Sequence, residues 1–86
     1  MHKRIDERQQ TTAQVDAVDF ESGVEFSGAA QNMSAHGLKF HAGMEPPVGA
    51  ELSVRVGDER ANLHVTRVEA CAAGGYDVAG RLTPRR

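Results

Sequence analysis

Six short stretches of this chain alternate apolar with polar residues, and glycine, proline or small polar residues separate them. Successive side chains of a strand point to opposite faces, so a period of two marks half-buried strands. No window carries the 3.6-residue period of an amphipathic helix. In the first stretch Ala13, Val15 and Ala17 share a face, while Val18 and Phe20 continue on the other phase. A bulge near Ala17 and Val18 reconciles the two. Val24, Phe26, Gly28 and Ala30 then alternate up to Asn32, followed by Leu38, Phe40 and Ala42, and by Leu52, Val54 and Val56. Ala61, Leu63 and Val65 form the fifth set, where a phase slip at Thr66 and Arg67 brings in Val68 and Ala70. Tyr76, Val78, Gly80 and Leu82 complete the series, and Pro84-Arg85-Arg86 reads as a frayed end.

The separators agree with this division. Glu21-Ser22-Gly23, Gly57-Asp58-Glu59 and Ala72-Ala73-Gly74-Gly75 have turn composition. Pro46 and Pro47 bar residues 43–49 from a strand interior, because each removes a ladder donor. Many short strands joined by glycine-containing turns make a sandwich or a barrel. With 86 residues there is one domain, burying about 60–65% of its unfolded surface. Closure into a six-stranded antiparallel β-barrel removes exposed edges that so short a chain cannot cover. The expected fold class is therefore all-β, with a barrel over residues 11–86 and Phe20, Phe26 and Phe40 on core phases. Residues 1–10 are polar and charged, with Ile5 the one large aliphatic after Met1, and read as a flexible leader.

Charge and cysteine content narrow the function classes. A net charge of −2 gives no bulk pull toward nucleic acid or anionic membrane, so an anion site has to be local. No apolar run approaches the roughly 18 residues of a membrane span, and the first residues lack the apolar core of a signal peptide. A cytoplasmic protein without membrane insertion is expected. Cys71 is the single cysteine, so no internal disulfide or cysteine cluster forms, and its position suits a small buried or half-buried hydrophobe. The four histidines, His2, His36, His41 and His64, have no helical i,i+4 pairing and no expected cysteine partner, which points away from a metal site. No nucleophile, carboxylate pair or phosphate-cradling loop is arranged for catalysis, so neither an enzyme nor a bound cofactor is expected. Aromatic residues make up only 5% of the chain and fall on core phases, which argues against a nucleic-acid polymer as partner.

Two short patterns carry the functional reading. Arg4-Ile5-Asp6-Glu7-Arg8 places two guanidinium groups in the leader. Asn32-Met33-Ser34-Ala35-His36-Gly37 joins two strands and concentrates residues used by both turns and ligand sites. Gly37 is expected there for a positive φ or for a backbone approach that a Cβ would block. Arg-x-x-x-Arg in a polar leader, then (Asp/Asn)-x-Ser-x-x-Gly at a strand junction, resembles the PilZ domain family over nearly the whole chain. That resemblance implies a bacterial receptor for the second messenger cyclic di-GMP on a six-stranded barrel, here without the carboxy-terminal helix of some relatives.

The resemblance implies ligand contacts from Arg4, Arg8, Asn32, Ser34 and Gly37. Lys3, just before the first arginine, stands where the family influences the stacking of a second ligand molecule. His36 lies inside the second pattern, where it stacks on a base or faces solvent. The chemistry suits such a ligand. A guanidinium takes phosphate oxygens bidentately, matches guanine O6 and N7, and stacks on a base. Ordering a polar leader costs about 1–2 kcal/mol per residue, which charge-assisted contacts to two phosphates and two guanines offset. The implied mechanism is a leader that orders over the ligand and presents a new surface to a downstream protein. The alternative is a PilZ-type barrel that does not bind the nucleotide and acts as a protein-interaction adaptor.

Overall fold

A computed structural model describes residues 13–84, so the leader and the arginine pair lie outside the described residues. Six strands, β1 (Gln14–Asp19), β2 (Glu25–Met33), β3 (Gly37–Ala42), β4 (Glu51–Val56), β5 (Glu59–Ala70) and β6 (Tyr76–Pro84), close into a barrel. The order around it is β1-β2-β3-β6-β5-β4, every pairing is antiparallel, and β4 returns to β1. Closure leaves each strand paired on both sides, as expected for an all-β chain of this size. Among the described residues no helix is long and apolar enough to cross a membrane.

The period-two alternation becomes the inner wall. Val15, Ala17, Leu38, Phe40, Ala42, Leu52, Val54, Val56, Leu63, Val65, Val78 and Leu82 are buried and form one cluster. Phe40 sits at its centre, fully buried, with the half-buried Phe26 ring 6.3 Å away and inclined by 24°. Offset aromatic packing of this kind adds about 0.5–1.5 kcal/mol beyond the area it buries.

Three local expectations are corrected. No bulge occurs at Ala17 and Val18, because β1 pairs continuously with both β2 and β4. The inward phase instead runs on to Asp19, whose carboxylate accepts the N–H groups of Glu21 at 2.8 Å and Ser22 at 3.3 Å. A turn-forming aspartate thus occupies an inward position, and Phe20 falls in the turn at 56% exposure rather than in the core. Pro84, expected in a frayed end, instead pairs with Ala61 at the end of β6.

The bulges lie in β2, between Ala30 and Asn32, and in β5, between Val65 and Arg67. The second is the slip visible in the sequence. The first reverses the direction of Asn32. On the uninterrupted phase of Phe26, Gly28 and Ala30 its side chain faces inward, but the extra residue Gln31 turns it onto the outer face opposite Lys39.

Candidate functional site

The turn between β2 and β3 is organised by Ser34. Its N–H donates to the Gly37 carbonyl at 2.9 Å, and its Oγ accepts the N–H of Gly37 at 3.2 Å. The His36 N–H also points at this Oγ, at 3.4 Å. Because Oγ accepts from the turn, the hydroxyl proton remains available to donate outward. His36 is exposed, and its carbonyl accepts the Leu82 N–H at 2.8 Å, tying the turn to the end of β6.

Strand register then sets a row of outer-face residues around this turn. Asn32 pairs with Lys39, Lys39 with Ala79, and Ala79 with Arg67, while Gly37 pairs with Arg81. Asn32, Ser34, Gly37, Leu38, Lys39, Ala79 and Gly80 line an open depression of about 380 Å³. Three of the residues singled out in the sequence, Asn32, Ser34 and Gly37, are therefore brought together on one surface. Lys39, Arg81 and Arg67 were missed. Their signal was available only as outward positions on strands whose partners the sequence does not identify. Among the described residues neither Lys39 nor Arg81 forms an ion pair, whereas Arg67 Nε lies 3.5 Å from Glu69 Oε2. A locally cationic patch thus exists on a chain whose net charge is −2.

Gly37 departs from the expectation for it. It is not among the glycines with positive φ, which are Gly23, Gly49, Gly57, Gly74 and Gly75. A Cβ built on it would stand 3.6 Å from the Gly80 carbonyl oxygen and 3.7 Å from Ser34 Oγ, in ordinary van der Waals contact. At Gly28 and Gly80, by contrast, a Cβ would collide with the backbone carbonyls of His41 and His64. The barrel requires those two glycines and does not require Gly37.

Lys3, Arg4 and Arg8 lie outside the described residues. The chain enters the barrel beside the site: the Ala13 carbonyl accepts the Ala30 N–H at 2.8 Å, two residues before Asn32.

A second polar cluster occupies the other end of the β3–β6 ladder. His41 stands opposite Asp77, with its Nδ1 3.2 Å from Asp77 Oδ1 and 3.7 Å from Cys71 Sγ. Both contacts fall on one imidazole nitrogen, so the ring cannot relay a proton between thiol and carboxylate, which takes opposite nitrogens. The hydrogen bond from His41, reinforced by one from Cys71, holds the Asp77 carboxyl below its ordinary value. Partial burial pushes the Cys71 thiol up, and its hydrogen bond to Asp77 and that residue's charge act in the same direction. Cys71 is half-buried, as expected, but sits in polar company rather than among hydrophobes.

Comparison of the chain with protein-family models, with curated proteins and with solved structures returns no match.

Proposed function

We propose that this chain is a PilZ-type receptor for cyclic di-GMP, binding it on the outer face of β2, β3 and β6 and closing its amino-terminal arginines over it. Gly37 carries this reading. It occupies the floor of the depression, nothing in the barrel demands a glycine there, and a Cβ would take up space otherwise open to a ligand. The surrounding groups supply complementary chemistry. Ser34 donates to a phosphate or to guanine O6, the Asn32 amide pairs with a guanine edge, and Lys39 and Arg81 offset phosphate charge. Ala79 and Gly80 line the depression with little or no side chain, which leaves room for a base.

The leader has the reach this requires. Arg8 lies five residues before Ala13 and Arg4 nine, spans of up to about 17 Å and 30 Å of extended chain. From an attachment point beside Ala30, both guanidinium groups can meet a ligand lying over Gly37. The closed leader together with the ligand then forms the surface that a downstream protein recognises, which makes the chain a cytoplasmic signalling module rather than an enzyme.

Calorimetric titration of the intact chain with cyclic di-GMP tests the proposal. Binding is expected, and Arg4→Ala or Arg8→Ala should each cost about 1–3 kcal/mol, as for loss of a charged or bidentate contact. Absence of binding at tens of micromolar ligand overturns it in favour of the adaptor reading. That alternative has an observation of its own. A hollow of about 140 Å³ has an apolar side of Met33, Ala35, Val54, Val56 and Leu82 with Ser34, Glu59 and Arg60 also on its lining, and Met33 is 44% exposed.

A further inference from the structure

We propose that His41, Cys71 and Asp77 bind a borderline-soft divalent cation, with Zn²⁺ the best match. The three residues come from β3, from the turn before β6 and from β6 itself, yet their ligand atoms all lie within 4.8 Å of one another. Tetrahedral zinc, with Zn–S near 2.3 Å and Zn–N and Zn–O near 2.0–2.1 Å, sets an S···N edge of about 3.6 Å and an N···O edge of about 3.3 Å. The Cys71 Sγ to His41 Nδ1 distance is 3.7 Å and the His41 Nδ1 to Asp77 Oδ1 distance is 3.2 Å. Two edges of the tetrahedron are therefore close to the required lengths, and the third, between the Cys71 thiol and the Asp77 carboxylate, lies within 4.8 Å where zinc needs about 3.6 Å.

The imidazole is oriented for this role by packing. Its Nε2 edge lies against Gly75, where a Cβ would collide with the ring, so Nδ1 is turned toward the thiol and the carboxylate. Gly75 holds this position with φ of +77°, a conformation that other residues rarely adopt. A ring fixed by its backbone neighbour loses little freedom when it coordinates, as in sites whose outer contacts preset the ligand. The donor set selects the metal. A thiolate with an imidazole and one carboxylate suits zinc and its neighbours, whereas magnesium and calcium demand oxygen donors. Glu69, which also faces Arg67 at 3.5 Å, stands opposite Asp77 across the β5–β6 ladder, and the Lys39 charge acts on Asp77 from β3. Three protein ligands leave one tetrahedral position for water, and the His41 side chain is 40% exposed.

Such a cation would fasten the turn at residues 71–75 to β3 and β6.

Cobalt(II) titration of the intact chain reads the site directly. One equivalent should produce a thiolate-to-cobalt charge-transfer band and visible bands of tetrahedral intensity, which Zn²⁺ then abolishes. Cys71→Ser should lose the charge-transfer band and Asp77→Asn should weaken binding at least tenfold, while His36→Ala, altering an exposed histidine outside the cluster, should behave as the parent. If Cys71→Ser does not fold, alkylating Cys71 in the folded parent replaces it and should remove the band. A titration without bands, bands of octahedral weakness, or bands that survive loss of the thiol would each overturn the proposal.

Discussion

The two turns that bracket the β3–β6 ladder are opposites. At residues 71–75 the fold dictates the sequence: Gly74 and Gly75 take φ of +110° and +77°, and a Cβ on Gly75 would strike the His41 ring and the Ala42 carbonyl. At residues 32–37 the backbone makes no such demand. Ser34 closes the turn with its own hydroxyl, and the glycine that follows has room for a side chain. A glycine required by geometry says something about folding. One that geometry leaves unexplained, set in a cationic depression, says something about what the surface receives.

The largest separation between the two ends should come from deleting residues 1–8. Among the described residues the buried core spans residues 15–82, so the melting temperature should stay nearly unchanged while cyclic di-GMP binding disappears. A melting temperature that falls steeply would mean that the leader is packed, and would sink its assignment to the ligand. Gly75→Ala comes next. Strain at positive φ together with the collision should cost about 1–3 kcal/mol, and each kcal/mol lowers the melting temperature by about 4–8 °C in a domain of this size. Gly37→Ala should change stability by less than about 0.5 kcal/mol, as for an unstrained surface substitution. Its effect should instead be on calorimetric affinity, with a loss of about tenfold, or 1.4 kcal/mol. Equal melting losses for the two glycines would erase the contrast between the turns.

The smallest effect concerns pH at the 71–75 end. The Asp77 carboxyl is held below its ordinary value of 3.8, so its interactions stabilise the barrel above that value and are lost as pH falls through the lower folded-state value. The Cys71 thiol is raised above 9.0, so its contribution holds below that value and is lost as pH rises through the folded-state value. In metal-free buffer, the melting-temperature gap between the parent and Asp77→Asn should therefore be constant near neutrality and narrow in acid. A gap that widens in acid has the wrong sign.

The barrel was legible because its evidence is local. Each strand carries its own alternation, and the slip from Val65 to Val68 announces the β5 bulge through a real change of apolar phase. The bulge at Gln31 left no such trace, since Ala30 and Asn32 continue the earlier phase and Asn32 is polar on either face. The error at Phe20 has the reverse cause. Asp19 holds an inward position for its turn hydrogen bonds, and the apolar phase was read past the point where the strand ends.

The candidate site was half legible. Asn32, Ser34 and Gly37 stand close in sequence, whereas Lys39 meets Asn32 through the β2–β3 pairing and Ala79, Gly80 and Arg81 join them through the β3–β6 pairing. The His41, Cys71 and Asp77 cluster was not legible, because its contacts span 30 and 36 residues and no metal-binding spacing joins them.

Amide chemical shifts during titration with cyclic di-GMP test the nucleotide site most directly. Binding over Gly37 predicts the largest shifts at residues 32–39 and 79–81, with the amides of residues 71–75 nearly still. Unmoved amides at saturating ligand, or shifts confined to surfaces away from β2, β3 and β6, would contradict it.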